Sequence, residues 1–268
     1  MTSPAPQEIL FVPAQFATLQ QAVDAVREPA TIVVEPGVHA GSVRVDGKTS
    51  LVIQSARLAR RGVTVTGGLS IVDSHVWLSG VEIRGGTRAI AVDGGSLSLQ
   101  ECVIAGNRTR EPFGAAMLCR NAAVRVQKSA IVGNVIEADD VAGGAALYFC
   151  DCRIEIAGST IQGNAAYGRA ARGGGIWCER SSMRMWRSRV TDNALFGEVC
   201  EGSGIYFREP LDCRLGGSVI TGNGSVAGRG GGVFIAGDAR RVVIHRDTAV
   251  RQNHPNDVDI SRRNKSSS

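Results

Sequence analysis

The chain of 268 residues is 43% apolar, which is enough to bury the core of one domain, and only 5% aromatic. Glycine occurs 34 times, and so many glycines with so few rings are typical of a narrow, repetitive core. The net charge of +5 comes from arginines that form no long basic run and do not alternate with aromatic residues, so we expect no nucleic-acid partner.

Residues 1–30 are predicted to form an N-terminal arm and a capping helix that belong to the same domain as the rest of the chain. Thr18 and Gln21 have the spacing of a capping box, and Pro29 ends the helix. The arm has neither the basic nor the apolar segment of a signal peptide, and no apolar run reaches the ~18 residues of a membrane span. We therefore expect a cytoplasmic protein without a membrane partner.

An internal repeat fills residues 31–260. In each copy a β-branched residue precedes an asparagine by three positions, and apolar residues recur at alternate positions upstream. This alternation predicts short strands, and because such a short repeat cannot bury its own face, the copies must stack. The predicted fold is all-β, a single right-handed parallel β-helix of about eight three-strand coils with an N-terminal capping α-helix. The repeat asparagines are Asn107, Asn134, Asn164, Asn193, Asn223 and Asn253.

Each regular coil is predicted to hold three strands, as in Gly174–Cys178, Met183–Met185 and a short strand that ends at Asn193. Stacked asparagines at this turn tolerate a left-handed backbone and can hydrogen-bond along the stack. His245 falls in an apolar column and is interpreted as a core or strand-edge residue rather than a base. The polar tail 261–268 is predicted to be disordered. The strands expected in the shorter early coils are Ala30–Val34, Ser42–Val45, Leu51–Gln54, Val63–Val65, Ser70–Val76, Val81–Ile83 and Ala89–Val92.

In the first strand of each regular coil, the residue between two inward positions points outward. Most of these outward residues are aromatic and follow a run of small residues, so we expect an exposed aromatic ladder beside a glycine-rich floor. Such rings suit the apolar face of a sugar, although the rings could instead serve only to stabilise one another. The ladder begins at Leu118, and its substrate-binding candidates are Tyr148, Trp177, Tyr206 and Phe234.

The longest connections run from each repeat asparagine to the next glycine run, and stacking places these charged loops beside the ladder. A carboxylate there can act as general acid or base while arginines stabilise an anionic substrate or intermediate. The alternative for each residue is a solvated charged rim. The catalytic candidates are Asp139, Asp140, Glu179, Glu201, Arg120 and Arg208, and the substrate-binding arginines are Arg169 and Arg172.

The seven cysteines are odd in number and have no CxxC spacing. This pattern predicts reduced core thiols, because disulfide frameworks and zinc sites require paired or closely spaced ligands. The nearest pair, Cys150 and Cys152, has no histidine at a suitable spacing. We therefore expect neither a metal site nor a cofactor.

Two segments carry a resemblance to a known family. Phe16–Val26 followed by Thr31–Gly37 is similar to the start of pectin-lyase-like proteins, and the GGGI and IxxN repeats resemble those of right-handed β-helix proteins, including adhesins. In this family the substrate groove usually follows the strand and loops described above. The polygalacturonase, alginate-epimerase and pectate-lyase signatures are absent from the chain, so the resemblance implies the fold and transfers no catalytic residue.

Two functions therefore stay open. The first is an intracellular pectin-lyase-like enzyme, a lyase, epimerase, isomerase or cyclase, that acts by acid–base chemistry on a carbohydrate or other small anionic or aromatic molecule. The second is a non-catalytic scaffold or binding module of the adhesin type, which would function in a larger assembly and have no pocket. The expected partner is a small-molecule or saccharide ligand. Charged loops folded flat against the ladder would favour the second function. The oligomeric state is not indicated by the sequence.

Overall fold

The computed structural model describes residues 8–56, 62–226 and 228–261. The chain forms an all-β, right-handed parallel β-solenoid of about eight turns, which confirms the predicted fold class. Every strand pairing in the three long sheets is parallel and joins one coil to the next, as stacked coils require. No helix within the described part of the chain is long and apolar enough to cross a membrane.

The three long sheets, named A, B and C in the order in which each coil visits them, have ten, nine and nine strands. Sheet A contains Glu8–Val12, Ala30–Val34, Leu51–Ser55, His75–Ser79, Ser96–Gln100, Ala123–Gln127, Arg153–Ala157, Ser182–Trp186, Asp212–Gly216 and Val242–Ile244. Sheet B contains Gly37–Ala40, Val63–Thr66, Val81–Arg84, Val103–Ala105, Ala130–Val132, Thr160–Gln162, Arg189–Thr191, Val219–Thr221 and Ala249–Arg251. Sheet C contains Val43–Asp46, Leu69–Val72, Ile90–Asp93, Met117–Arg120, Leu147–Cys150, Ile176–Glu179, Ile205–Arg208, Val233–Ala236 and Val258–Ile260.

Two shorter sheets, D and E, are inserted between the B and C strands of the later coils, where the sequence suggested long loops. Sheet D contains Arg108–Thr109, Val135–Glu137, Ala165–Tyr167, Ala194–Phe196 and Gly224–Ser225, and sheet E contains Val141–Gly143, Ala170–Arg172 and Val199–Glu201. These segments form strands because alanines and other small residues bury a second core between them. The buried members include Ala142, Ala166, Ala171 and Leu195.

The main core lies inside the solenoid, where alternate residues of sheets A, B and C meet. In one coil Leu147, Phe149, Ile154, Ile156 and Ile161 are all fully buried. This is the period-two arrangement that the repeat predicts, and like residues stack on like residues from coil to coil. Burying each apolar side chain contributes roughly 1.5–3 kcal/mol, so the stack supplies most of the favourable free energy of folding.

The repeat alignment is wrong in the last coil. Strand Val242–Ile244 pairs Ile244, not His245, with Leu215, while Val250 keeps its predicted place beside Ile220. The connection between these two strands therefore contains one extra residue, which shifts the upstream strand by one position. His245 lies exposed in that turn instead of in the apolar column.

The N-terminal end of the solenoid is capped by helix α1, Leu19–Ala25. Thr18 and Gln21 form the predicted capping box. The Gln20 side chain, which the sequence did not single out, binds the edge strand of sheet C, accepting from Arg44 N at 2.6 Å and donating to Arg44 O at 3.1 Å. The amide thus occupies the backbone groups that a further strand would use, which protects the sheet edge from pairing with another chain.

The repeat asparagines form the predicted ladder along the solenoid. In each step the backbone N–H and the Nδ2 of one asparagine donate to Oδ1 of the next, as from Asn134 to Asn164 at 2.9 Å for both bonds. The left-handed backbone falls on the residue before each asparagine, for example Gly163, and not on the asparagine itself. At the last coil, Asn253 donates to the Asp257 carboxylate, which ends the ladder. The predicted disordered tail lies outside the described residues beyond Ser261.

Candidate functional site

Sheet C presents two outward columns of side chains. The strand register confirms the predicted column from Leu118 to Phe234 and extends it in both directions. The rings of this aromatic ladder contact one another from coil to coil, with Trp177 and Tyr206 centroids 4.9 Å apart. Phe113, which the sequence did not single out, extends the ladder at a centroid distance of 4.5 Å from Tyr148. The full column is Arg44, Ser70, Ala91, Leu118, Tyr148, Trp177, Tyr206, Phe234 and Asp259.

The expected exposure of the aromatic ladder is wrong. Trp177 is 3% exposed and Phe234 is 1% exposed, although both point away from the main core. Sheet E lies directly against the rings. A Cβ added at Gly143 would stand 2.1 Å from the Trp177 ring, so only glycine allows this close approach. The rings therefore fill the corner between sheets C and E instead of forming an open floor.

Charged side chains of sheet E and of Arg229, which is bridged to its last strand, complete the cover over the rings. The Arg172 guanidinium lies 5.8 Å from the Tyr206 ring centroid, and Arg229 lies 5.2 Å from that of Phe234. Both arginines are neutralised by carboxylates, since Arg172 pairs with Glu201 at 2.8 Å and Arg229 with Asp259 at 3.1 Å. The candidates Arg172 and Glu201 are thus paired with each other above the ladder.

The remaining loop candidates occupy the exposed turns between sheets D and E. Asp140 pairs with Arg169 at 2.6 Å, and both side chains are 65% exposed. Asp139 is exposed beside them. Among the described residues, no hydrogen bond or ion pair links these three side chains to the aromatic ladder or to Glu179. Their surroundings are those of a solvated rim, in which ion pairs contribute little free energy.

The second outward column of sheet C brings Arg120, Glu179 and Arg208 into one row, with Cys150 between the first two. The Glu179 side chain is only 7% exposed and has three polar neighbours. Tyr148 donates to its Oε2 at 3.2 Å, and the Arg208 Nη1 lies 3.6 Å from its Oε1. The third neighbour is a residue that the sequence did not single out.

This missed residue is Arg180, whose Nη1 donates to Glu179 Oε1 at 2.5 Å. Arg180 also pairs with Asp151 at 2.9 Å and contacts the Cys150 sulfur. Its backbone is left-handed, with φ of +41°, as is that of Asp151 at the equivalent position of the preceding coil. The sequence signal that could have indicated this contact is the polar residue that directly follows four successive sheet C strands, at Asn121, Asp151, Arg180 and Glu209.

The surroundings of Tyr148 and Cys150 keep both side chains protonated at neutral pH. Burial and the neighbouring Glu179 carboxylate raise the pKa of Tyr148 well above its usual value, so the phenol stays protonated and donates. Burial and a hydrogen bond to Asp151 raise the pKa of the Cys150 thiol to about 11. Cys150 is therefore a poor nucleophile at neutral pH. Glu179 is the buried carboxylate of the cluster, and its oxygens are bound by Tyr148 and Arg180.

The open part of the same face lies nearer the N-terminus, where the coils lack sheets D and E. Here a shallow groove of about 280 Å³ runs from Gln20 of helix α1 to Arg88. Small residues of the ladder column, Ser70 and Ala91, form its floor. The groove is lined by Gln20, Ser42, Val43, Arg44, Gly68, Leu69, Ser70, Arg88 and Ala91.

Arg88 is the distinctive residue of this groove. Its half-buried guanidinium donates to the carbonyl oxygens of Phe113 at 3.0 Å and Gly114 at 3.3 Å. No carboxylate among the described residues forms an ion pair with it, although Glu111 exerts a favourable field from farther away. Burial lowers the pKa of Arg88, which remains a cation at neutral pH. The groove therefore contains the positive charge of Arg88. Two backbone carbonyls hold the guanidinium in place, and no described carboxylate pairs with it.

No group of three or more histidine, cysteine, aspartate or glutamate side chains suited to a metal ion occurs within residues 8–56, 62–226 and 228–261. Comparisons of the chain with protein-family models, curated proteins and solved structures find no match in any of the three.

Proposed function

We propose that this chain is a pectin-lyase-like β-helix protein that binds an acidic saccharide in the groove on the outer face of sheet C. The observation that carries the proposal is Arg88, a half-buried guanidinium that lines the groove without a carboxylate partner among the described residues. A carboxylate-bearing ligand would provide the missing counter-charge in bidentate geometry.

The shape and chemistry of the groove support a ligand of this class. Its volume of about 280 Å³ is near the lower end of small-molecule sites, which suits one or two sugar units. Ser42 and Ser70 can exchange hydrogen bonds with sugar hydroxyls, while Leu69 and Ala91 offer an apolar surface to a ring. The cover over the aromatic ladder supports binding rather than catalysis, because sheet E and its Arg172–Glu201 ion pair lie on the rings and leave no open cleft there.

The family assignment rests on the N-terminal sequence resemblance together with the architecture. A capping helix, three-strand parallel coils and an asparagine ladder are the features that this resemblance implies. All seven cysteines lie within the described chain and are free thiols, which supports a reducing compartment such as the cytoplasm.

Replacing Arg88 tests the binding site. We expect Arg88→Gln to weaken galacturonate binding about tenfold or more in isothermal titration calorimetry, since a charge-assisted hydrogen bond is lost. Arg84→Gln, an exposed arginine of sheet B with the same charge change, serves as the control and should bind as the wild type does. Equal affinity of the Arg88 and Arg84 variants would contradict the proposal.

A second substitution tests the groove independently, in case the Arg88 variant fails to fold. Ala91→Leu fills the groove without removing a polar group, and Leu118 at the next position of the column shows that leucine fits there. We expect this variant to keep the thermal unfolding midpoint of the wild type and to lose galacturonate binding. Unchanged binding would place the ligand elsewhere.

Acid–base catalysis at Glu179 is a second candidate function. The observation that favours it is the nearly buried carboxylate with a phenol and two guanidinium groups around it, an arrangement that active sites use to control proton transfer. If Glu179 is the base, Glu179→Gln abolishes release of unsaturated product from polygalacturonate, followed by ultraviolet absorbance, while Asp140→Asn leaves the rate unchanged. Equal rates for Glu179→Gln and wild type would exclude this role.

A further inference from the structure

We propose a second ligand site, for a phosphate group, on the outer face of sheet A between Arg153 and Arg184. Both arginines line a concave pocket of about 210 Å³, together with Ile154, Glu155, Ser182 and Asp212. This pocket lies on a different sheet from the groove in sheet C and shares no residue with it. The inference is therefore independent of the proposed saccharide site.

The charge balance of the pocket carries the argument. Its two carboxylates are already neutralised by other arginines, since Arg125 pairs with Glu155 at 2.9 Å and Arg214 pairs with Asp212 at 3.1 Å. Arg153 and Arg184 remain, and neither forms an ion pair with a described carboxylate. Two guanidinium groups therefore line one pocket without an ion-pair partner, and an anion bound there would supply the counter-charge.

The parallel register brings a hydroxyl group to the same place. Ser182 lies directly beside Arg153 on the neighbouring strand, and Arg184 lies two residues farther along on the same outward side. Within the described residues, the Ser182 hydroxyl has no hydrogen-bond partner. Two guanidinium groups and one hydroxyl from two adjacent strands thus line the pocket.

A phosphate group matches this set better than a carboxylate does. A phosphate carries close to two negative charges at neutral pH and has three or more acceptor oxygens, which satisfies both guanidinium groups and the hydroxyl together. A carboxylate has one charge and two oxygens. The same chemistry is available from free phosphate and from a phosphomonoester on a larger molecule, and the two sources are separated in the test below.

The test is isothermal titration calorimetry at constant ionic strength, with chloride as the balancing anion. Inorganic phosphate and glucose 1-phosphate are titrated separately into the wild type, Arg153→Gln, Arg184→Gln and Arg189→Gln. Arg189 is an exposed arginine of sheet B outside the pocket and has no described ion-pair partner, so its variant matches the loss of charge. We expect each pocket variant to weaken binding about tenfold or more and the control to leave it unchanged.

The outcomes separate the two ligand sources and the two sites. Tighter binding of inorganic phosphate indicates the free ion, and tighter binding of glucose 1-phosphate indicates an esterified group. Absence of saturable binding of either probe, or an equal loss in Arg189→Gln, overturns the proposal. Phosphate binding that is lost in Arg88→Gln but retained in Arg153→Gln also overturns it, because the anion would then occupy the groove in sheet C. Galacturonate binding that fails while phosphate binding persists would refute only the saccharide site.

Discussion

At the scale of single residues, the buried asparagines of the ladder are held by several hydrogen bonds each. Each interior asparagine of the ladder accepts two hydrogen bonds and uses its amide to donate both to the next asparagine and to backbone carbonyls. Asn164, for example, receives Asn134 and donates to Asn193 and to Ile131 O. Removing one member leaves donors of the preceding coil buried and unpaired, which costs more than the loss of an exposed hydrogen bond.

We therefore expect Asn164→Ala to lower the free energy of unfolding by about 3 kcal/mol or more, measured by urea denaturation. Gln162→Ala is the matched control, because Gln162 lies two residues away, is exposed and makes a solvent-accessible hydrogen bond to Asp192. Its effect should stay within about 0.5 kcal/mol. Similar losses for the two variants would mean that the ladder contributes little to the free energy of unfolding.

At the scale of elements, the packing of sheet E on the aromatic ladder depends on the absence of a side chain at Gly143. A methyl group there would overlap the Trp177 ring, so the strand must move outward or the ring must turn. The same corner also depends on the ion pair of Arg172 with Glu201, which covers the rings from the solvent side.

Gly143→Ala should separate sheet E from the ladder and expose Trp177. We expect a loss of about 1–3 kcal/mol in the free energy of unfolding and a larger fraction of tryptophan fluorescence quenched by acrylamide. Trp77 and Trp186 are already exposed, so the increase reports on Trp177. Gly62→Ala, at a glycine with open space around it, should change neither quantity. Unaltered quenching in Gly143→Ala would show that the corner tolerates the methyl group.

The sequence indicates the elements that local periodicity determines. The stacked columns of Ile131, Ile161 and Ile220 and the asparagine turn repeat in every regular coil, so strands and ladder can be predicted without knowledge of distant contacts. Sheets D and E could not be predicted in this way, because strands of three residues rich in alanine have no strong intrinsic preference. Their formation depends on a core that exists only once the coils are stacked.

The candidate site was predictable only in part, for the same physical reason. The register of the aromatic column follows from the alternation of residues along the strands. Its burial depends on the connecting segments, which form sheet E over the rings. Glu179 and Arg208 adjoin because their strands do, but Arg180 reaches Glu179 through a left-handed turn. Arg88 lines an accessible groove because the coils around it lack sheets D and E, and this absence could not be foreseen from local sequence patterns.

At the scale of the whole molecule, one sheet face divides into a closed half and an open half. The later coils carry two extra sheets that cover the rings, and the earlier coils leave a groove beside helix α1. The uncovered part of this face therefore lies in the N-terminal coils. Of the two proposed ligand sites, the groove with Arg88 lies on the open half of this face, whereas the pocket with Arg153 and Arg184 lies on sheet A.

The asparagine ladder has a direction as well as a length. In every step the amide nitrogen of one Asn side chain donates toward the C-terminal coil and its oxygen accepts from the N-terminal coil, so the amide dipoles add along the solenoid axis as peptide dipoles add along a helix. The Asp257 carboxylate lies at the positive end of this column and accepts from Asn253. The stack thus has a macrodipole, and the negative charge of Asp257 in the same chain neutralises its positive end. Coils could be added or removed upstream without disturbing that neutralisation, so long as the acidic residue remains after the last asparagine.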